Sequence, residues 1–248
     1  MTLLRLDRVG KRFGGVVAVD DLSFAVEEGA ILGLMGANGA GKTTAFGLIA
    51  GNLRPSSGAI HLDGRRIDGL RPHRVSRLGV ARTFQIVRPF PALSVLDNVA
   101  TAALYGSGRE RSQAKARAAA HEILAEVGLD GRASEPAEAL TLAGRKRLEI
   151  ARALATSPRL LLLDEVMAGL TATEVAEALA MLQRVQQARR LTIIIIEHVM
   201  RVLMRLCDRI VVLHHGAKIA EGTPDEVRRH LEVIRAYLGT ADAAADVA

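Results

Sequence analysis

The sequence has no tryptophan and only 3% aromatic residues, so its core has to be filled by Leu, Ile, Val and Ala. Its net charge is +6, yet no Lys/Arg block is interleaved with aromatics, which argues against a dedicated nucleic-acid surface. A single cysteine, Cys207, excludes an internal disulfide and a Cys-based metal site, as suits a reducing compartment. Long apolar runs are missing too. The longest aliphatic stretches, Leu160 to Leu163 and Ile193 to Ile196, fall far short of the roughly 20 residues that cross a bilayer. The N-terminus is charged from Arg5 onward and lacks the apolar stretch of a secretory signal, so any membrane role is expected to be peripheral.

What is present is a chain of 248 residues, 49% hydrophobic, enough for one large domain or one with an inserted subdomain. The first third alternates short strand-like stretches with turns: Leu3 to Leu6, Leu22 to Val26 and Ala30 to Met35. The last is an unbroken apolar run, as expected of a strand covered on both faces, and an apolar helix follows over Ala45 to Ala50. Ser56-Ser57-Gly58 opens a hairpin-like stretch in which Ile60 and Leu62 alternate, with a turn signal at Asp63-Gly64. From Val95 to about Leu154 the composition turns Ala-, Arg- and Glu-rich with few β-branched residues, predicting a helical insertion. Strands over Leu160–Leu163, Leu191–Ile196 and Ile210–Leu213 then alternate with helices over Thr173–Ala188 and Val199–Leu206, and a last helix starts at Pro224. That alternation predicts a parallel sheet.

Between the third strand and its helix stands Gly36-Ala37-Asn38-Gly39-Ala40-Gly41-Lys42-Thr43, which fits G-x-x-x-x-G-K-[ST] in the required strand-to-helix context. Glycines let backbone N–H groups converge on phosphate oxygens, and the helix N-terminus favours an anion. Lys42 is the point charge for the β- and γ-phosphates and the Thr43 hydroxyl a Mg²⁺ ligand, with Thr44 next in the helix. The strand Leu160 to Leu163 runs into Asp164-Glu165. On their own such acids commonly just end a strand; together with the phosphate loop, Asp164 becomes the second Mg²⁺ anchor and Glu165 the base for an attacking water. Ile193 to Ile196 ends in Glu197-His198, where an imidazole can sense a γ-phosphate, and Gln85 carries an amide able to ligate Mg²⁺ or water.

In this order the elements resemble the ATP-binding subunits of ABC transporters, over Leu3 to Gly239. The resemblance implies ATP and Mg²⁺ as cofactors, an ATPase activity, and a RecA-like P-loop NTPase fold of the α/β class. It adds an N-terminal antiparallel β portion and an inserted helical subdomain. The expected boundaries are a core of about 1–87 and 154–240, a helical subdomain of about 88–153 and a disordered tail of 241–248. Phe13, in Lys11-Arg12-Phe13-Gly14-Gly15, matches the aromatic that stacks on adenine. Gln85 matches the Q-loop, Asp164 and Glu165 the Walker B pair, and His198 the switch histidine.

Three stretches, Ala81–Gln85, Leu148–Leu154 and Val233–Gly239, look like the ATPases of branched-chain amino acid importers. Urea and short-chain amide importers and lipopolysaccharide exporters are near relatives. A soluble ABC protein would carry two cassettes or long coiled-coil insertions, neither of which is present, and a P-loop kinase would not explain Gln85, His198 and the insertion. The resemblance further implies a second ATP-binding subunit, two transmembrane permease subunits, indirectly a solute-binding protein, and a place on the cytoplasmic face of the inner membrane.

Two segments depart from the family. The signature, normally Leu-Ser-Gly-Gly-Gln or Leu-Ser-Tyr-Gly-Gln, aligns without gaps to Leu140-Thr141-Leu142-Ala143-Gly144, so Ala143 puts a methyl where close backbone approach is usual; a one-residue shift would put Gly144 there. The D-loop has Thr171 where Asp or Asn is usual. In the family both segments complete the ATP site of the opposite subunit. Unequal ATP sites in a heterodimer, or a tolerated subfamily variant, would each account for the pattern.

Overall fold

The computed structural model describes residues 1–83, 89–106, 112–197 and 199–238. The expected frayed tail, Gln85 and His198 lie outside these residues.

Strand β1 (Thr2–Phe13) starts with Leu4 and Leu6 buried and Arg5 exposed between them. The alternation then slips: a register shift between Leu6 and Val9, with Arg8 at φ 45°, brings Val9 back to the buried face. Its antiparallel partner β2 (Val16–Glu27) slips likewise around Asp21 at φ 47°, so that Val19, Leu22, Phe24 and Val26 are all buried. These bulges explain why strands anticipated at Leu3–Leu6 and Leu22–Val26 are twelve residues each. Next come β3 (Ile31–Gly36), buried throughout, and α1 (Lys42–Ile49). The hairpin expected after it forms from β4 (Ser57–Leu62) and β5 (Arg65–Arg66).

The middle of the chain holds α2 (Pro72–Arg77), β6 (Val80–Arg82), α3 (Val95–Tyr105), α4 (Gln113–Val127) and α5 (Leu142–Ala155). The two aliphatic runs follow as β7 (Leu160–Asp164) and β8 (Thr192–Ile196), every residue buried, with α6 (Ala172–Arg189) between them. The chain continues with α7 (Met200–Leu206), β9 (Arg209–His214), β10 (Ala217–Gly222), α8 (Pro224–Arg229) and α9 (Leu231–Leu238). Where one C-terminal helix was expected there are two, because His230 takes an extended ψ of 119° and ends α8.

The chain divides into two compact units, Met1–Leu70 with Ile194–Ala248, and Arg71–Ile193. The first contains an antiparallel sheet in the order β2-β1-β4-β5, and strands in the order β10-β9-β3 followed by Ile194–Ile196 of β8. Here β3 runs parallel to β9, with Leu34 opposite Val211, and β9 and β10 form an antiparallel pair. Cys207 is buried beside Gly33, where an added Cβ would lie 3.0 Å from its Sγ. Burial pushes the pKa of that thiol up to about 12.

In the second unit Thr192–Ile193 of β8, then β7, then β6 follow in order, β6 and β7 running parallel with Val80 opposite Leu160. Helices α3, α4 and α5 pack on one another, and their Val99, Ala103, Ala120, Leu124, Leu148 and Ala151 are all buried. Among the described residues no helix is long and apolar enough to cross a membrane.

Candidate functional site

The Gly36–Thr44 loop joins β3 to α1 entirely within the first unit. Two of its glycines are sterically required. A Cβ on Gly41, at φ 100°, would lie 2.4 Å from the Ala18 carbonyl oxygen, and one on Gly36 would lie 2.7 Å from the Leu213 oxygen and 2.8 Å from Ala40 Cβ. The loop is thus pressed against β2 and β9 as bare backbone. Gly41 is the N-cap of α1, and among the described residues no side chain caps it. The first turn holds Lys42, Thr43 and Thr44 and no acid, so the helix end keeps its positive potential for an anion. Asn38, Gly39 and Thr43 are exposed, Thr44 half-buried and Ala40 buried.

Lys42 is only 6% exposed, and its ammonium donates to the Gly36 carbonyl at 2.6 Å and the Ala37 carbonyl at 2.9 Å. The charge is therefore folded over the loop it belongs to, held by neutral acceptors that a phosphate oxygen outcompetes as a charge-assisted partner.

Phe13 ends β1 opposite Val16, two residues before the Ala18 that touches Gly41. The same hairpin that braces the loop therefore presents the aromatic ring, 46% exposed, with the Lys11 ammonium 4.9 Å from its centroid. The turn at His214-His215 also supports the loop: the Gly216 N–H donates to the Ala40 carbonyl at 3.2 Å, and the Gly216 carbonyl accepts from the Asp20 N–H at 2.9 Å.

In the second unit Asp164 closes β7 with 3% exposure. Its Oδ2 pairs with Arg82 Nη2 at 2.9 Å, and its N–H donates to Thr83 Oγ1 at 3.1 Å. Thr83 is fixed in turn by its N–H on the Leu162 carbonyl at 2.9 Å. Sequence reasoning missed both Arg82 and Thr83. They precede Gln85 closely, but only the parallel pairing of β6 with β7 brings them to the aspartate. Glu165 follows at φ 51°, a left-handed conformation that costs a non-glycine residue of order 1–3 kcal/mol and collects at functional sites. Its carbonyl accepts from the Ala168 N–H at 3.2 Å and from the Lys146 ammonium at 3.1 Å.

The segment Leu140–Gly144 opens α5. Thr141 is its N-cap, the hydroxyl accepting the Gly144 N–H at 3.2 Å. Leu142 is exposed, Ala143 half-buried, and Gly144 buried, with its Cα hydrogen side facing Leu140. Thr171 serves its helix in a comparable way. With Glu174 it forms the capping box of α6, which gives a hydroxyl at that position a local structural reason. That contact holds the Glu174 carboxyl below its usual range.

Each unit offers a hard oxygen donor of its own, the exposed Thr43 hydroxyl in the first and the Asp164 carboxylate in the second. Mg²⁺ keeps several waters and needs only one or two protein oxygens beside substrate phosphates. Among the described residues there is no cluster of three or more His, Cys, Asp or Glu side chains that could hold a metal.

Comparison with known proteins agrees with this chemistry. Residues 19–168 match the family described as ABC transporter, and residues 217–243 match the branched-chain amino acid ATP-binding cassette transporter family. The high-affinity branched-chain amino acid transport ATP-binding protein BraF of Pseudomonas aeruginosa is 39% identical, over 96% of this chain and 98% of its own. Its counterpart LivG of Escherichia coli is 37% identical over the same shares. Among solved structures, the ADP conformation of MJ1267, an ATP-binding cassette of an ABC transporter, superposes with a TM-score of 0.87 at 27% identity. That match covers 96% of this chain and 99% of the other.

Proposed function

Since the chain belongs to the ABC transporter family of ATP-binding proteins, we propose that its ATPase powers import of branched-chain amino acids or closely related solutes, from the cytoplasmic face of the inner membrane. The match of residues 217–243 to the branched-chain family carries the choice of solute, supported by relatives that cover nearly the full length.

The loop receives the triphosphate. Backbone N–H groups around Asn38 to Lys42 meet phosphate oxygens, and the Lys42 ammonium exchanges the Gly36 and Ala37 carbonyls for the β- and γ-phosphates. Phe13 stacks on the adenine. Thr43, Asp164 and Gln85 would hold Mg²⁺, which when bound neutralises charge developing on the phosphates. Glu165 polarises the attacking water, and His198 senses the γ-phosphate.

A second ATP-binding subunit closes the site, and a heterodimer is the arrangement we favour. Thr141, Ala143 and Gly144 would act on the partner's nucleotide, yet the Thr141 hydroxyl is already engaged with the Gly144 N–H and Ala143 carries a methyl. Two membrane permeases and a solute-binding protein complete the system.

The test is uptake by proteoliposomes containing the chain and its membrane subunits, with labelled leucine, and with ATP supplied on the side where the ATPase sits. ATP-dependent accumulation, lost in Lys42→Ala, is expected. ATP-dependent movement of a different solute without leucine uptake would overturn the solute assignment.

A further inference from the structure

Lys146 lies on α5, five residues beyond the N-cap Thr141, and is only 7% exposed. It shares a small void with Ala143, Ile150, Val166 and Met167, with Arg147 and Glu174 also on its lining. An ammonium buried there is costly unless strong acceptors meet it. One acceptor it reaches is the main-chain carbonyl of Glu165, at 3.1 Å. Glu165 is also the residue held left-handed at φ 51°, a conformation that persists only where surrounding contacts impose it. Its carbonyl receives the Ala168 N–H as well, so the peptide plane after Glu165 is fixed from two sides.

We infer that Lys146 is a positioning residue for Glu165: the buried ammonium, by binding the Glu165 carbonyl, holds the strained backbone that aims the carboxylate at the hydrolytic water. This rests on the role proposed above for Glu165. Because α5 begins with the signature segment, Lys146 also makes the position of that helix felt at Glu165. The link stays within one compact unit and needs no group beyond those described.

The experiment uses the full chain and measures ATP hydrolysis, affinity for a non-hydrolysable ATP analogue, and thermal unfolding. Lys146→Met is expected to lower kcat about ten- to a hundredfold while KM and analogue affinity stay within about twofold, since misplacing a reacting group by ~1 Å costs that much. Lys146→Arg, which keeps a buried donor, should recover much of the loss. An unchanged kcat in Lys146→Met, or an equal fall in analogue affinity, overturns the inference.

A second readout does not depend on activity. Glycine adopts φ 51° without strain, so Lys146→Met should lower Tm less in a Glu165→Gly background than in the native one; equal drops overturn the inference. Should Lys146→Met not fold, Lys146→Gln takes its place with the same expected signs. Glu165→Gln separates the two layers. If it hydrolyses ATP like the native chain, the role of Glu165 falls; if it is inactive while Lys146→Met is native-like, only the role of Lys146 falls.

Discussion

Two helices in this chain begin at segments that the sequence marks for phosphate, and their first turns are built in opposite ways. At α1 the N-cap is Gly41, left-handed at φ 100°, and among the described residues no side chain caps it. At α5 the N-cap is Thr141, in extended conformation, with its hydroxyl on the Gly144 N–H. The first end leaves its N–H groups to whatever anion arrives; at the second, one of those groups, the Gly144 N–H, is taken by the chain's own hydroxyl. Glycine in place of a capping side chain costs only about a few tenths of a kcal/mol, a loss that ligand binding returns. The contrast therefore separates a terminus with no side-chain cap from one whose cap side chain is engaged locally.

The largest effect expected from breaking this contrast is at Lys42. Lys42→Ala removes the charge folded over the loop's carbonyls at Gly36 and Ala37 and should lower ATP hydrolysis by at least about a hundredfold, as loss of a preorganised electrostatic contact does. Steady-state ATPase assays check this. Gly41→Ala comes next. With φ 100° and the Ala18 oxygen 2.4 Å from the new Cβ, it should destabilise the fold by about 1–3 kcal/mol and weaken ATP binding, read by thermal unfolding and nucleotide titration.

At the other helix, Thr141→Ala should lower unfolding stability by about 1 kcal/mol through loss of the cap, measured in denaturant. It should leave ATP binding by this chain's own loop unchanged. Ala143→Gly sharpens the comparison at smaller cost, up to about 1 kcal/mol of helix propensity. In the assembled transporter it should raise hydrolysis at the partner's site and not at this chain's own; no change at either site contradicts the unequal-site reading. The smallest effect is at Cys207. With its pKa pushed up to about 12 by burial, the thiol should stay protonated and resist alkylation in the folded chain below that pH, losing protection only on unfolding.

The phosphate loop was legible because its spacing and its strand-to-helix setting are both local in sequence. The buried strands β7 and β8 were legible for a related reason: a strand covered on both faces is written as an uninterrupted aliphatic run. Strands β1 and β2 were only half legible, since bulges at Arg8 and Asp21 shift the alternation that betrays a one-sided strand. Strand β10, Ala-Lys-Ile-Ala-Glu-Gly, lies at the edge of its sheet with weak patterning and went unanticipated.

At the site, Asp164 and Glu165 could be named from the strand they end, but Arg82, Thr83 and Lys146 could not. Their partners are 82, 81 and 19 residues away along the chain, and no periodicity records which strand pairs with which. Thr171 looked like a departure from a family pattern and turns out to serve its own helix as a cap.

The most direct test of the account compares ATP binding and ATP hydrolysis by the full chain with those of Glu165→Gln. The account predicts that the variant binds ATP with Mg²⁺ as tightly as the native chain and hydrolyses it at least about a hundredfold more slowly, as loss of a positioned general base does. Hydrolysis at the native rate, or loss of ATP binding in parallel with hydrolysis, would contradict it.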